Sequence, residues 1–144
     1  MSTARLEKPE PLLASLTVAD AMHRGIVTCS PLDDLREVAT ALAENAIHCV
    51  VVIDAGPQGE DDDRLWGVVS DIDLMRGLRS AVRLDAGNLA ALEIMTVAPD
   101  DSLDRAAQLM SEHEIAHLVV IADDRPVGVI STLDIARAAA GMTR

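Results

Sequence analysis

Aromatic side chains are almost absent from this sequence: its 144 residues include no Phe and no Tyr, and Trp66 is the only tryptophan. A hydrophobic core must therefore be built from Leu, Ile, Val, Met and Ala, and the aromatic platforms on which single-stranded nucleic acids stack cannot be made. Basic residues are also few, with 12 Lys and Arg against 24 Asp and Glu and a formal net charge of −12. Such a surface repels phosphate backbones and anionic membranes, which excludes nucleic-acid binding as the main task.

Three further absences bear on where the protein works. No apolar run approaches the roughly 18–20 residues of a membrane span. Residues 1–11 lack the hydrophobic segment of a signal peptide, and residues 1–15 are expected to form a flexible tail. Cys29 and Cys49 have no second cysteine at metal-binding or redox spacing. We therefore expect a cytoplasmic protein with two reduced thiols, no membrane segment and no metal site.

The sequence contains two copies of one unit. The matched stretches are residues 28–54 with 96–122, residues 67–76 with 128–137 and, upstream, residues 18–22 with 91–95, both of which end in Met. The first copy is longer because of a Gly-, Pro- and Asp-rich stretch at residues 55–64, where a surface loop accepts an insertion at little cost. The shared order of identities predicts an internal duplication.

Both copies show the same local pattern. Apolar residues recur at helical spacing from Leu35 and from Leu103, which predicts an amphipathic helix in each copy, with Asp33 and Asp101 as the N-caps. The pattern further predicts strands at residues 50–53, 65–69, 118–121 and 126–130, closing helices at 71–78 and 132–140, and short helices that end at Met22 and Met95. The predicted fold class is therefore α/β, in the α+β sense.

A repeat of about 60 residues buries little surface by itself. The two repeats are therefore expected to pack against each other with pseudo-twofold symmetry and to form two equivalent clefts. The predicted boundaries are residues 16–79 for the first repeat, 80–88 for the linker and 89–141 for the second repeat.

A Gly-x-x-Ser-x-x-Asp motif stands at the end of a predicted strand in each copy, from Gly67 through Ser70 to Asp73 and from Gly128 through Ser131 to Asp134. Glycine allows close approach of a ligand or of a neighbouring backbone. A Ser hydroxyl at a helix start, with the first N–H groups of the helix, suits a phosphate, and a carboxylate one turn later suits a ribose diol. The same residues suit helix capping, with Ser as N-cap and Asp as first-turn charge, so both interpretations stay open.

The segment from His113 to His117 matches His-Glu-x-x-His, a zinc-hydrolase motif that needs both histidines on one face of a continuous helix. The duplication argues against that geometry, because the segment aligns with the point in the first copy where a helix ends and a strand begins. No Glu or His follows His117 to supply a third ligand. Zinc hydrolysis through His113, Glu114 and His117 is kept only as a remote alternative.

The order of Met22, Thr28, Pro31 and Ile47, followed by the Gly-x-x-Ser-x-x-Asp motif and repeated in the second copy, resembles a tandem pair of CBS domains, the cystathionine-β-synthase repeat or Bateman module. The resemblance covers about residues 16–140. It implies β-α-β-β-α repeats, two clefts that bind adenosine-containing ligands in many members, and association into disc-like homodimers. It also implies a regulatory sensor and not an enzyme.

The resemblance further implies a set of ligand-binding residues. Asp73 and Asp134 would hold ribose hydroxyls, and Ser70 and Ser131 would contact phosphate or ribose. The remaining residues that would line the ligand are Thr28, Ile47, His48, Cys49 and Val50 in the first copy and Thr96, Ile115, Ala116, His117 and Leu118 in the second, with Arg76 and Arg137 as candidates for phosphate contact.

The expected ligand is AMP, ADP, ATP or S-adenosylmethionine, with no required cofactor and an unknown protein as regulated target. The acidic surface favours a monophosphate or an uncharged adenosyl ligand over a triphosphate. The alternative is a ligand-free scaffold that serves dimerisation and partner docking.

Overall fold

Helices and strands alternate along residues 12–54, 64–90 and 94–142, the part of the chain that the computed structural model describes. The helices are α1 (Val18–Ala21), α2 (Leu35–Asn45), α3 (Asp71–Leu78), α4 (Ala86–Leu89), α5 (Leu103–His113) and α6 (Thr132–Ala139). The strands are β1 (His23–Arg24), β2 (Thr28–Cys29), β3 (Cys49–Asp54), β4 (Arg64–Ser70), β5 (Thr96–Val97), β6 (His117–Ala122) and β7 (Arg125–Ser131). The mixed α/β fold class is confirmed.

The chain divides into two compact units, which we name for their place in the sequence. The middle unit is Gly25–Ile94, and the end unit combines the described residues 12–24 with residues 95–142. Two predicted segments fall largely outside the described residues. These are the expected tail, of which residues 1–11 are not described, and the expected loop insertion, of which residues 55–63 are not described.

The middle unit holds a three-stranded sheet in the order β2-β3-β4, with β2 parallel and β4 antiparallel to β3. Val50, Val52 and Val69 point from this sheet into a core that also contains Val38 and Leu42 of α2. Since every second residue of β3 enters this core, the strand has the period of two that places side chains on alternate faces. The runs at residues 50–53 and 65–69 are thus confirmed as strands. The first is largely buried, whereas the second is partly exposed, with Trp66 39% exposed.

The end unit holds a four-stranded sheet in the order β1-β7-β6-β5. Strand β6 is parallel to β5 and antiparallel to β7, as in the middle unit, and β1 is added antiparallel to β7. Its core contains Leu103 of α5, Leu118 of β6, Ile130 of β7 and Val18 of α1, each with at most 1% of its surface exposed. The duplication is therefore present in the fold as well as in the sequence.

The short helix predicted to end at Met95 is wrong. The structure places α4 at Ala86–Leu89, within the stretch expected as linker, and residues 91–93 lie outside the described residues. The carbonyl of Met95 instead accepts a hydrogen bond from Val119 N–H. In the middle unit the equivalent hydrogen bond runs from Val51 N–H to the carbonyl of Val27. The structural counterpart of Met95 is therefore Val27 and not Met22.

The predicted N-caps Asp33 and Asp101 are also wrong by one residue. Asp34 caps α2 by accepting from Glu37 N–H, and Ser102 caps α5 by accepting from Arg105 N–H. The earlier aspartates close the preceding turns, since Asp33 accepts from Ser30 N–H at 3.0 Å and Asp101 accepts from Ala98 N–H at 2.8 Å. In each unit, one residue therefore closes the turn and the next residue caps the helix.

Candidate functional site

In the middle unit, Ser70 and Asp73 form a reciprocal capping box at the junction of β4 and α3. Ser70 Oγ accepts from Asp73 N–H at 3.1 Å, and Asp73 Oδ2 accepts from Ser70 N–H at 3.0 Å. The Ser70 hydroxyl also donates to Asp73 Oδ2 at 2.9 Å. One carboxylate oxygen is therefore fixed by the fold, while Oδ1 lies 4.0 Å from Nη1 of Arg76.

Ser131 and Asp134 form the same arrangement in the end unit, at the junction of β7 and α6. Asp134 Oδ2 accepts from Ser131 N–H at 2.9 Å and from the Ser131 hydroxyl at 3.1 Å. The structure thus forms the capping arrangement in both copies, with the same donors and acceptors. In the middle unit capping uses Oδ2 of Asp73, so Oδ1 retains the chemistry on which the ligand-binding interpretation depends.

The two aspartates differ in their exposure to solvent. The side chain of Asp73 is 24% exposed, and that of Arg76 is 77% exposed. Asp134 is only 5% exposed as a residue, and Arg137 is half-buried. The middle-unit carboxylate is therefore the more accessible of the two in this structure.

The loop that precedes the central strand lies against the same helix start in each unit. The carbonyl of His48 accepts from Asp71 N–H at 2.8 Å, and the carbonyl of Ala116 accepts from Thr132 N–H at 3.0 Å. These bonds bring Ile47–His48 and Ile115–Ala116 beside the Ser-x-x-Asp junctions. Loop and junction therefore lie together within each unit.

Thr28 and Thr96 occupy matching positions on the short parallel strands. Thr28 pairs with Val51 and Thr96 pairs with Val119, and both threonines are exposed. The Ser-x-x-Asp motif lies on the other side of the central strand, since Cys49 pairs with Ser70 and His117 pairs with Ser131. The two threonines thus hold equivalent positions in the two sheets.

Three of the expected ligand-contacting side chains are buried. Cys49, Val50 and Leu118 are 7%, 0% and 1% exposed, so only their backbone groups could meet a ligand in this conformation. Burial, with a smaller contribution from Asp71, raises the pKa of the Cys49 thiol to about 12. His117, at the place of Cys49 in the second copy, is half-buried.

The sequence analysis did not predict the contact between His48 and Asp71 beside the middle-unit junction. His48 Nδ1 lies 2.9 Å from Asp71 Oδ2, with side-chain exposures of 67% and 42%. Asp71 follows Ser70 directly, and its counterpart in the second copy is Thr132. Comparing the two copies for differences, and not only for identities, would have drawn attention to this residue.

The His-Glu-x-x-His segment does not form the helix that its motif requires. His113 is the last residue of α5, Glu114 has a left-handed backbone with φ of 52°, and His117 begins β6. Within residues 12–54, 64–90 and 94–142, no three His, Cys, Asp or Glu side chains are grouped to hold a metal ion. In the same residues, no helix is both long enough and apolar enough to cross a membrane.

Two repeats of one sheet-and-helix unit, each with a capped Ser-x-x-Asp junction, define the class of this protein as a tandem-repeat α/β protein. The sequence profile of the CBS domain matches residues 18–80 and 86–141. The chain therefore belongs to the CBS domain family, and the resemblance is confirmed. CBS pair proteins are generally regulatory and not catalytic.

Named relatives support this assignment. Hypoxic response protein 1 of Mycobacterium tuberculosis is 30% identical over 125 residues, which cover 84% of this chain and 83% of that protein. A crystal structure of Hypoxic Response Protein I with two coordinated zinc ions has a TM-score of 0.69 and 28% identity, covering 84% of this chain and 97% of that one. The CBS domain pair of protein MJ0100, in complex with 5′-methylthioadenosine and S-adenosylmethionine, has a TM-score of 0.77 and 23% identity over 87% of this chain and 96% of that one.

Proposed function

We propose that this protein is a regulatory CBS pair that binds an adenosyl ligand at one or both Ser-x-x-Asp junctions. The observation that carries the proposal is the duplicated junction itself. In both units a carboxylate, a hydroxyl and the carbonyl-bearing loop before the central strand come together where a strand ends and a helix begins. Capping alone tolerates many residue types, whereas the same Ser, Asp and Arg recur in both copies.

The chemistry of each junction suits the parts of such a ligand. In the middle unit the second carboxylate oxygen of Asp73, Oδ1, has only a long contact with Arg76, so it can accept hydrogen bonds from a ribose diol. Backbone groups of the loop at Ile47–His48 can pair with the edge of a base. The formal charge of −12 disfavours a triphosphate and favours a monophosphate or an adenosyl ligand without phosphate.

The MJ0100 pair supports an adenosyl ligand class, because that protein was crystallised with 5′-methylthioadenosine and S-adenosylmethionine. Binding would act by population shift, in which the ligand favours one of two conformations and so changes the surface offered to another protein. A target protein, a cytoplasmic location and the independence from any cofactor stay predictions.

We also propose that the chain forms homodimers. Ile72, Met75 and Leu78 of α3 are 51%, 53% and 60% exposed, and Leu133 of α6, the counterpart of Ile72, is 50% exposed. Exposed large apolar residues on these two helices favour a self-complementary contact, which buries the same patch on both copies. This exposure is equally the observation that favours the alternative function, a ligand-free scaffold for dimerisation and docking.

Isothermal titration calorimetry with AMP, ADP, ATP, NAD and S-adenosylmethionine tests the ligand proposal. Asp73→Ala and Asp134→Ala are each expected to abolish one site. Each has a matched control that breaks a capping box elsewhere in the same unit. For Asp73 the control is Asn88→Ala, since Asn88 Oδ1 accepts from Asp85 N–H at 3.0 Å. For Asp134 it is Asp20→Ala, since Asp20 Oδ2 accepts from Thr17 N–H at 2.8 Å.

The controls are expected to bind like the wild type. Loss of binding in the controls as well would show that weakened capping, and not a lost ligand contact, is responsible. Binding that survives both Asp73→Ala and Asp134→Ala would refute the assignment of sites. No binding across the panel, with an intact dimer by light scattering, would favour the scaffold.

A further inference from the structure

The two junctions share their Ser and Asp but differ in the charge at the first residue of the helix. In the middle unit Ser70 is followed by Asp71, and in the end unit Ser131 is followed by Thr132. The loop residue that donates its carbonyl to this position differs as well, as His48 in one unit and Ala116 in the other. The first residue of the helix therefore carries a carboxylate in the middle unit, beside His48, and a hydroxyl in the end unit.

The carboxylate of Asp71 occupies the start of helix α3. Its Oδ1 accepts from Ile72 N–H at 2.8 Å, and its Oδ2 lies 2.9 Å from Nδ1 of His48. The first N–H groups of a helix are the place where a phosphate would bind, because they carry partial positive charge and lack helical partners. In the middle unit the chain itself supplies an anion there.

In the end unit the first residue of α6 carries no carboxylate. Thr132 and Ala116 are uncharged, and Thr132 has no carboxylate with which to cover the N–H of Leu133. The charged groups of the motif in this unit are Asp134, which is held in its capping box, and Arg137 one turn further along α6. A phosphate at the start of α6 would therefore meet the helix dipole without a competing negative charge at the first helical position.

From this difference we infer that the two sites select adenosyl ligands of different charge, an inference that rests on the proposed function. The end-unit site takes an adenosyl ligand that carries a phosphate, such as AMP. The middle-unit site takes one without phosphate, such as adenosine or the cationic S-adenosylmethionine.

The test measures the ratio of AMP to adenosine affinity at one site at a time by calorimetry. Asp134→Ala isolates the middle-unit site, and Asp73→Ala isolates the end-unit site. In the first background Asp71→Asn, which removes the charge and keeps the shape, is expected to raise the AMP-to-adenosine ratio about tenfold, the effect of one unit charge several ångströms from a phosphate in a partly solvated site. In the second background Thr132→Asp is expected to lower the ratio by a similar factor.

Thr132→Asn is the matched control for Thr132→Asp and is expected to leave the ratio near its starting value. Urea unfolding of every variant confirms that it is folded under the titration conditions. Ratios that stay within about twofold in Asp71→Asn and Thr132→Asp, while adenosine still binds, would overturn this inference and leave the proposed function standing. Failure of adenosine and AMP alike to bind the wild type would overturn both.

Discussion

Gly128→Ala is expected to destabilise the end unit by displacing strand β1. A Cβ atom at Gly128 would lie 2.4 Å from the carbonyl oxygen of His23 and 2.8 Å from Cε of Met22. Gly128 is paired with Arg24 in the antiparallel register of β1 and β7, so the contact falls inside the ladder. The motif glycine was expected to permit close approach of a ligand or a backbone, and in this unit the structure shows a backbone.

The cost follows from what must move. The clash is with main chain, which cannot rotate away as the end of a side chain can, so β1 must shift and its hydrogen bonds with β7 must lengthen. Overpacking of this kind costs about 1–3 kcal/mol, and the lost ladder bonds add about 1 kcal/mol. The lower entropy of the unfolded chain returns about 0.4–1 kcal/mol. We therefore expect the free energy of unfolding to fall by about 2–3 kcal/mol.

Urea unfolding followed by circular dichroism measures this change, and with a slope of about 2–3 kcal/mol per molar the midpoint should fall by about 1 M. Gly77→Ala in α3 is the control. Its Cβ would lie 2.8 Å and 2.9 Å from the two Cδ atoms of Leu89, which are ends of a flexible side chain. Helix propensity favours Ala over Gly by about 1 kcal/mol, so Gly77→Ala should be nearly neutral. A Gly128→Ala protein as stable as the wild type would refute the reasoning.

Three further predictions follow from the same structure. Burial is the main cause that raises the pKa of the Cys29 thiol to about 11 and that of the Cys49 thiol to about 12, from an ordinary value of 9.0. Because the folded state holds these protons more tightly than the unfolded state does, the thiols stabilise the fold fully below pH 9. This stabilisation is lost as the pH rises towards the folded pKa values. The urea midpoint should therefore fall above pH 9, and less so when both cysteines are replaced by Ala, which a pH series of unfolding curves will check. Asp34→Ala should cost about 1 kcal/mol in urea unfolding through loss of the α2 cap, and a change below the error of the method would contradict that assignment. Met75→Glu should convert the proposed dimer to a monomer in light scattering, while Leu32→Glu, at a residue that is 83% exposed on a turn, should not; a dimer that survives Met75→Glu would exclude this face.

The repeated parts of the fold could be predicted from the sequence because both copies have the same pattern of apolar and polar residues. The strand that begins near Val50 and the strand that begins near Leu118 were visible as short β-branched runs, and the structure places both in the middle of their sheets. The Ser-x-x-Asp motif was correctly placed between a strand and a helix. Its capping role, which the sequence left open, is shown in both units.

Two failures have specific physical causes. Met22 and Met95 were paired because they are the same residue type, yet Met22 belongs to the buried core and Met95 is a partly buried residue of a loop. Hydrogen bonding, and not residue identity, decides which positions correspond. Asp33 was predicted as the N-cap because it stands just ahead of the helix, two residues after Pro31, and only the backbone geometry shows that it closes the turn instead.

The set of site residues stays a prediction, and the sequence does not rank its members by their exposure. A single sequence does not tell that Asp134 is 5% exposed, because that burial depends on neighbours far along the chain. The ion pair of His48 and Asp71 joins residues on either side of the β3–β4 hairpin. Pairing of that kind follows from strand register, which the sequence pattern did not supply.

The membership of α1 and β1 in the end unit has a consequence for how the chain is made. During synthesis the middle unit leaves the ribosome as one continuous stretch and has all of its strands at once. Residues 12–24 emerge before the middle unit, yet His23 and Arg24 acquire their partners only after β7 has been translated. These residues therefore complete their sheet later than the middle unit does, and closing the long loop between β1 and β7 is an entropically costly step.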